Sequence, residues 1–384
     1  MRIAVAREVE PEERRVALVP EVVAGLVNAG VEICIEAGAG VKASFADTAY
    51  AEVGARVVDD ASTLWREADI LLKVGAPTMQ QRAHELTLLR QGAVLIGFLN
   101  PLQDISLVRQ LTQQKLTAFS MELMPRLSRA QSMDALSSQA TVAGYKAVLM
   151  AADAFGKFFP MLTTAAGTMA PARVFVLGAG VAGLMAIATA RRLGAVVEAF
   201  DIRPAVREEV QSLGAVFVGV ELAEDTVATG GYAKEVSEAA RQREQEVVQR
   251  HVTGADVVIT AAQVPGKRAP VLVTEAMLAG MRPGSVLVDL AAEQGGNCAC
   301  TAVGQEVRRH GVTILGWRNL PSLMPVPASQ MYARNLRAFL HHILKDGALH
   351  IDLADEITRG ACVTHDGAIR HDAVLQALGQ QGER

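Results

Sequence analysis

The chain has 384 residues, half of them apolar and 20% charged, with 4% aromatic residues and a formal net charge of −4. That length argues for about two domains with substantial cores. The mild negative charge and sparse aromatics exclude a nucleic-acid-binding footprint, and four scattered cysteines, Cys34, Cys298, Cys300 and Cys362, exclude a disulfide framework.

In chain order, residues 1–6 read as a short buried strand, Pro20–Asn28 as an amphipathic helix and 31–36 as a second strand. Buried strands at 70–74 and 93–99 flank a polar helical stretch, 79–90. Strands alternating with helices imply a mostly parallel sheet. Residues 134–156 read as one long helix rich in Ala and Met. A second α/β unit follows, with strands expected at 174–177, Val196–Phe200, 215–218, 256–260, 285–289 and 313–315. A helix is expected at 329–344, and the tail 348–370 alternates like a short hairpin. The fold class is therefore α/β, with two Rossmann-like domains of parallel sheet flanked by helices and a cleft between them. The first domain is expected to be discontinuous, 1–133 plus 328–384, and the second to span 134–327. No apolar run approaches the roughly 18 residues of a membrane span. The opening MRIAVAREVEPEERR has no secretory apolar region, so a cytosolic chain is expected.

The most specific signal is RVFVLGAGVAGLMAIATARRLGAVVEAFD at 173–201. An apolar strand ends in Gly178-Ala-Gly180-Val181-Ala182-Gly183, a helix follows, and a second strand closes on Asp201. This is the dinucleotide-binding fingerprint in its strand–turn–helix–strand context. Gly178 serves the turn, Gly180 lets backbone approach a pyrophosphate, and Gly183 lets helix pack on sheet. The helix N-terminus offers unpaired N–H groups and a positive dipole end. Asp201, 18 residues past Gly183, would accept ribose hydroxyls and repel a 2′-phosphate, so NAD(H) is read over NADP(H). Arg203 complicates this, because a nearby arginine can accept a 2′-phosphate.

Two further segments stand out. Residues 221–235, ELAEDTVATGGYAKE, form a long polar connection containing Gly231 and Tyr232. It is either a surface insertion or a lid whose lone aromatic folds over a cofactor. RLSRAQSMDALSS at 126–138 gathers Arg, Gln, Asp and Ser at a domain junction. Arg126 and Asp134 could pair, and Gln131 and Ser137 could fix a carboxamide; equally, Asp134 and Ser132 could simply cap a helix. None of the eight histidines ends a predicted strand, so each reads as a surface residue. Cys298 and Cys300 lack a second Cys/His pair at zinc spacing, and no metal site is expected.

Several long motifs carry a resemblance: RLSRAQSMDALSSQATVAGY at 126–145, TAAGTMAPARVFVLGAGVAGLMAIATARRLGA at 164–195, GGYAKE at 230–235, PGKRAPVL at 265–272 and GSVLVDLAAEQGGN at 284–297. Across essentially all 384 residues the chain resembles the NAD(H)-binding component of proton-translocating NAD(P)+ transhydrogenases, in one superfamily with alanine dehydrogenases. The resemblance implies a homodimer that passes hydride from NADH to NADP+ on a partner component. It also implies a membrane component that couples transfer to proton movement, and peripheral association with the inner face of the membrane through those partners. It makes Arg126 and Asp134 an orienting pair, sends Gln131 toward the partner's nucleotide and puts Ser137 on the carboxamide. It adds Arg129 and Ser132, Val181 and Ala182, Ile202 and Arg203, and Gln263 to the residues around NAD(H), and it makes Gly231 and Tyr232 part of a mobile loop.

The alternative is an alanine dehydrogenase. Arg15 and Lys73 stand where that family binds a carboxylate, but its acid/base histidine is replaced by Asn100 and its aspartate by Glu293. Asparagine cannot shuttle a proton, whereas hydride transfer between two nicotinamides needs no acid/base group. A third reading is an NADH-sensing module without catalysis.

Overall fold

The computed structural model describes residues 1–78, 82–219, 238–264, 267–345 and 347–382. It divides into two compact units, Met1–Gln139 with Ser322–Arg384, and Ala140–Pro321. The divisions expected from sequence at 133/134 and 327/328 thus fall at 139/140 and 321/322. The reason lies in the first turn of the Ala135–Ala154 helix: Gln139 accepts from Arg15 and donates to the Ala328 carbonyl, both in the first unit.

In the first unit, six parallel strands run β1 (Arg2–Val5), β2 (Glu32–Glu36), β3 (Arg56–Val58), β4 (Ile70–Gly75), β5 (Val94–Phe98) and β6 (Thr117–Ser120). Their spatial order is β6-β5-β4-β1-β2-β3. A hairpin of Cys362–His365 and Ala368–Ile369 adds antiparallel to β6. The second unit repeats the plan with β7 (Arg173–Leu177), β8 (Val196–Phe200), β9 (Val216–Val218), β10 (Val257–Thr260), β11 (Val286–Asp289) and β13 (Val312–Leu315) in the order β9-β8-β7-β10-β11-β13. Antiparallel β12 (Glu306–Arg309) closes the edge. Each sheet is the doubly wound order, whose ligands collect beyond the carboxyl ends of the strands at the point where the order reverses. In the second unit that point lies between β7 and β10.

Both faces of each sheet are covered, and strand alternation explains how. Val174 and Val176 of β7 enter one core with Ile187, Ala190 and Val197. Phe175 and Leu177 enter the opposite core with Val252, Leu278 and Ile314. Successive side chains point to opposite faces, so a strand covered on both sides reads as a continuous apolar run. Each such buried side chain contributes about 1.5–3 kcal/mol.

All six strands expected in the second unit form in parallel. Strands β3 and β12 were not foreseen. Both lie at sheet edges, where a polar face weakens the hydrophobic signal. The helix expected at 329–344 begins earlier, at Pro325, because its prolines sit in the first turn, where no N–H is needed. The stretch expected as helix over 79–90 forms one at Arg82–Leu88. The tail is not one hairpin. It holds a two-residue ladder, Leu344–Lys345 with Ala348–Leu349, the helix Glu356–Ala361, and the hairpin on β6. Asp355 starts that helix by accepting the Ile357 and Thr358 N–H groups, a cap that alternation alone does not reveal. Among the described residues no helix is long and apolar enough to cross a membrane.

Candidate functional site

The β7 turn has the steric form that its glycines require. Gly178 has φ +98°, and a Cβ there would stand 3.0 Å from the Ala261 carbonyl carbon and the Ala262 nitrogen, the backbone just after β10. A Cβ on Gly183 would stand 1.8 Å from the Gly178 oxygen. Gly180 is the opposite case: a Cβ there meets nothing within 4 Å. It precedes the Val181–Arg192 helix, whose first turn has no side-chain cap, so the N–H groups of Val181, Ala182 and Gly183 have no acceptor within the helix. Open space in front of uncapped helix donors is an anion cradle of pyrophosphate character. A further glycine, Gly144, was not singled out from the sequence. A Cβ on it would come 2.1 Å from the Ala182 oxygen, so the Ala135–Ala154 helix can touch the fingerprint turn only because Gly144 has no side chain.

Asp201 ends β8 almost buried, at 8% exposure. Its Oδ2 accepts the Ala179 N–H at 2.8 Å, inside the glycine turn. Arg203 donates to both oxygens, Nε to Oδ1 and Nη2 to Oδ2 at 2.9 Å each, and its backbone N–H also reaches Oδ1 at 2.9 Å. The carboxylate therefore braces the turn and is itself held by the neighbouring guanidinium. Ile202, between the two, is half-buried.

The loops after β10 and β11 are built around two buried residues that sequence reasoning passed over. Asp289, fully buried, accepts five donors: the Thr260 hydroxyl, the Ala291, Asn297 and Cys298 N–H groups, and the Thr301 hydroxyl. Asn297, also fully buried, accepts the Ala262 N–H and donates to the Ala262 and Pro270 carbonyls. A strand ending in Asp with Asn eight residues on was the only signal available. Gln263 sits in the loop after β10 and donates to the Leu290 carbonyl at 2.6 Å. Glu293 accepts the Asn319 N–H.

In the first unit, residues Ser128–Met133 form a 3₁₀ turn leading into the long helix. Asp134 caps that helix, with Oδ1 accepting the Ser137 N–H at 2.9 Å and Oδ2 the Ser137 hydroxyl at 2.6 Å. Arg126, Gln131 and Ser132 are exposed. Arg129 donates to Asp355 at 2.6 Å. Arg15 is paired with Glu13 at 2.6 Å, and Lys73 with Glu8 at 3.2 Å, all four side chains being buried; burial pushes the Glu8 carboxyl up. Asn100 has φ +50°. Its N–H donates to Glu122, and its side chain donates to Gln103. Burial also pushes the Glu122 carboxyl above its ordinary range.

Three of the histidines read as surface residues are instead half-buried and paired: His251 with Glu198, His342 with Asp355 and His365 with Thr117. Among the described residues no group of three or more His, Cys, Asp or Glu is arranged to hold a metal ion. Gly231 and Tyr232, with the rest of the expected lid, lie outside the described residues.

The model of the Alanine dehydrogenase/PNT N-terminal domain matches residues 4–143, and that of the C-terminal domain matches 147–372. The chain belongs to the alanine dehydrogenase/PNT family. Within the family it is 49% identical over 379 residues to the first section of the split NAD(P) transhydrogenase subunit alpha of Rhodospirillum rubrum, covering 97% of this chain and 99% of that one. It is 30% identical over 389 residues to the alanine dehydrogenase of Halomonas elongata, covering 99% and 97%. Among solved structures, a transhydrogenase from Sinorhizobium meliloti superposes with a TM-score of 0.87 at 42% identity, covering 96% of this chain and all of that one. The family's paired domain models and the two α/β units agree with the expected fold class.

Proposed function

We propose that the chain is the NAD(H)-binding, hydride-donating component of a proton-translocating, Re/Si-specific NAD(P)+ transhydrogenase. One observation carries this reading: a glycine turn with open space at Gly180 and uncapped helix donors, braced by Asp201, in a chain more similar to a transhydrogenase alpha subunit than to an alanine dehydrogenase. NAD(H) is then a substrate. Its phosphates meet the Val181–Gly183 N–H groups, and its adenosine ribose meets Asp201 and Arg203. Arg126, Gln131, Asp134 and Ser137 serve the nicotinamide end. Hydride leaves one nicotinamide ring and enters the other, so NADH is oxidised, NADP+ is reduced, and no substrate proton is exchanged. Such a step needs alignment and exclusion of water rather than an acid/base residue. Asn100, which cannot take up a proton, suits that chemistry. NADP(H) is held by a partner component, and a membrane component couples the transfer to proton movement.

A homodimer belongs to the same proposal. The Leu162–Thr164/Gly167–Met169 hairpin and its approach expose Phe158, Met161 and Met169 at 53%, 63% and 55%. Large apolar side chains grouped on a surface favour a partner.

The test mixes the purified chain with an NADP(H)-binding component and follows hydride exchange between an NADH analogue and NADP+. Partner-dependent exchange, with no oxidation of alanine, is expected. Robust alanine oxidation without exchange would restore the alanine dehydrogenase reading. Gln131→Ala should slow exchange about tenfold or more while leaving NADH affinity nearly unchanged; a sensor would have no such rate to lose.

A further inference from the structure

Residues 126–134 carry three of the side chains that the proposed transfer depends on, yet few of the loop's bonds are its own. Its internal backbone bonds are short-range: the Leu127 N–H to Pro125, Ala130 to Leu127 and Asp134 to Gln131. The remaining grip comes from about two hundred residues further along the chain. Asn335 Nδ2 donates to the Ser132 carbonyl at 2.8 Å. Asp355 Oδ2 accepts Arg129 Nη1 at 2.6 Å, with Glu356 3.6 Å from Nη2. Gly360 lies against Pro125, so that a Cβ there would stand 3.1 Å from the ring. Ala130 and Met133 are buried in one core with Leu336, Phe339 and Ile357.

Asp355 is the centre of this grip. Its Oδ1 accepts the Ile357 N–H, the Thr358 N–H and His342 Nε2 at 2.9–3.1 Å, which leaves Oδ2 for the guanidinium. A helix cap needs one oxygen; the second ties the C-terminal segment to the loop.

We infer that Asp355 and Asn335 are positioning residues for the 126–134 loop, and that Arg129 is the loop's anchor to Asp355 rather than a ligand of the nucleotide. The inference rests on the proposed function for its consequence in catalysis, and on the geometry alone for its consequence in the loop.

The test uses the full chain with Asp355→Asn, Arg129→Ala, their double variant and Asn335→Ala. Asparagine caps a helix as well as aspartate, so Asp355→Asn removes the charge and keeps the helix start. Amide exchange across 127–134 should quicken about fivefold in each single variant. Partner-dependent hydride transfer at saturating NADH should fall by a similar factor, with the NADH dissociation constant within about twofold of wild type. The double variant should be no worse than Arg129→Ala, since both break one pair. Unchanged exchange in Asp355→Asn overturns the inference. So does Arg129→Ala weakening NADH about tenfold when Asp355→Asn does not. If the wild-type chain and its partner transfer no hydride, the functional reading fails, and the clamp is judged on amide exchange alone.

Discussion

Gly180→Ala separates folding from nucleotide binding. At φ −78° and ψ −170° the backbone suits any L-residue, and the added methyl meets no atom within 4 Å. The substitution therefore costs no packing. Stiffening the unfolded chain contributes about 0.4–1 kcal/mol of stability, offset by alanine being a poorer N-cap than glycine. The melting temperature should stay within about 3 °C of wild type. The space that the methyl fills is the space assigned to the pyrophosphate. Losing one hydrogen bond to a charged phosphate oxygen costs about 1.5–3 kcal/mol, which is roughly a 10- to 150-fold weaker NADH affinity. Calorimetric titration with NADH, beside thermal melts, measures both quantities. Gly183→Ala is the contrast. Its Cβ must move from 1.8 Å to at least 3.0 Å from the Gly178 oxygen, a displacement that overpacks the turn by about 1–3 kcal/mol and lowers the melting temperature about 2–4 °C for each of them. If Gly180→Ala binds NADH like wild type, the pyrophosphate does not lie there. If it melts early, the space was never open.

Asp289→Ala should be the most destabilising of the site substitutions, at about 3–5 kcal/mol by denaturant titration, because five buried donors lose their acceptor. Asp201→Ala should weaken NADH and narrow its preference over NADPH, since Arg203 is released from its carboxylate and becomes free to meet a 2′-phosphate; paired titrations with the two nucleotides check it. Burial raises the Glu122 carboxyl, so the folded state keeps that proton longer than the unfolded chain does. Its share of stability is full below the ordinary carboxyl pKa of about 4.3 and is lost as pH climbs through the raised value, by at most about 1.4 kcal/mol per pH unit. Glu122→Gln should flatten that decline in urea midpoints measured from about pH 4 to 8.

What could be read along the chain was whatever its neighbours in sequence determine. The six parallel strands of the second unit announce themselves as apolar runs, because a strand covered on both faces has no polar side to confuse the pattern. The fingerprint is legible for a similar reason: Gly178, Gly180, Gly183 and Asp201 act within one strand–turn–helix–strand unit. Their steric roles follow from the absence of a Cβ. Edge strands β3 and β12, exposed along one side, lack that signature.

Tertiary structure decided everything that depends on distant partners. Gly144 looks like any helix glycine until the Ala182 carbonyl lies against it. Asp289 and Asn297 are unremarkable polar residues until burial obliges every donor and acceptor around them to be matched. Arg129 reads as a nucleotide ligand by its place in a motif, and only the chain's return through Asn335 and Asp355 shows what holds it. The sequence by itself determined the nucleotide class and the repeated α/β plan, since both are written in local spacing and the steric size of single residues. Which polar groups carry the site and which merely hold it in place was decided by long-range hydrogen bonding and burial, which no local pattern encodes.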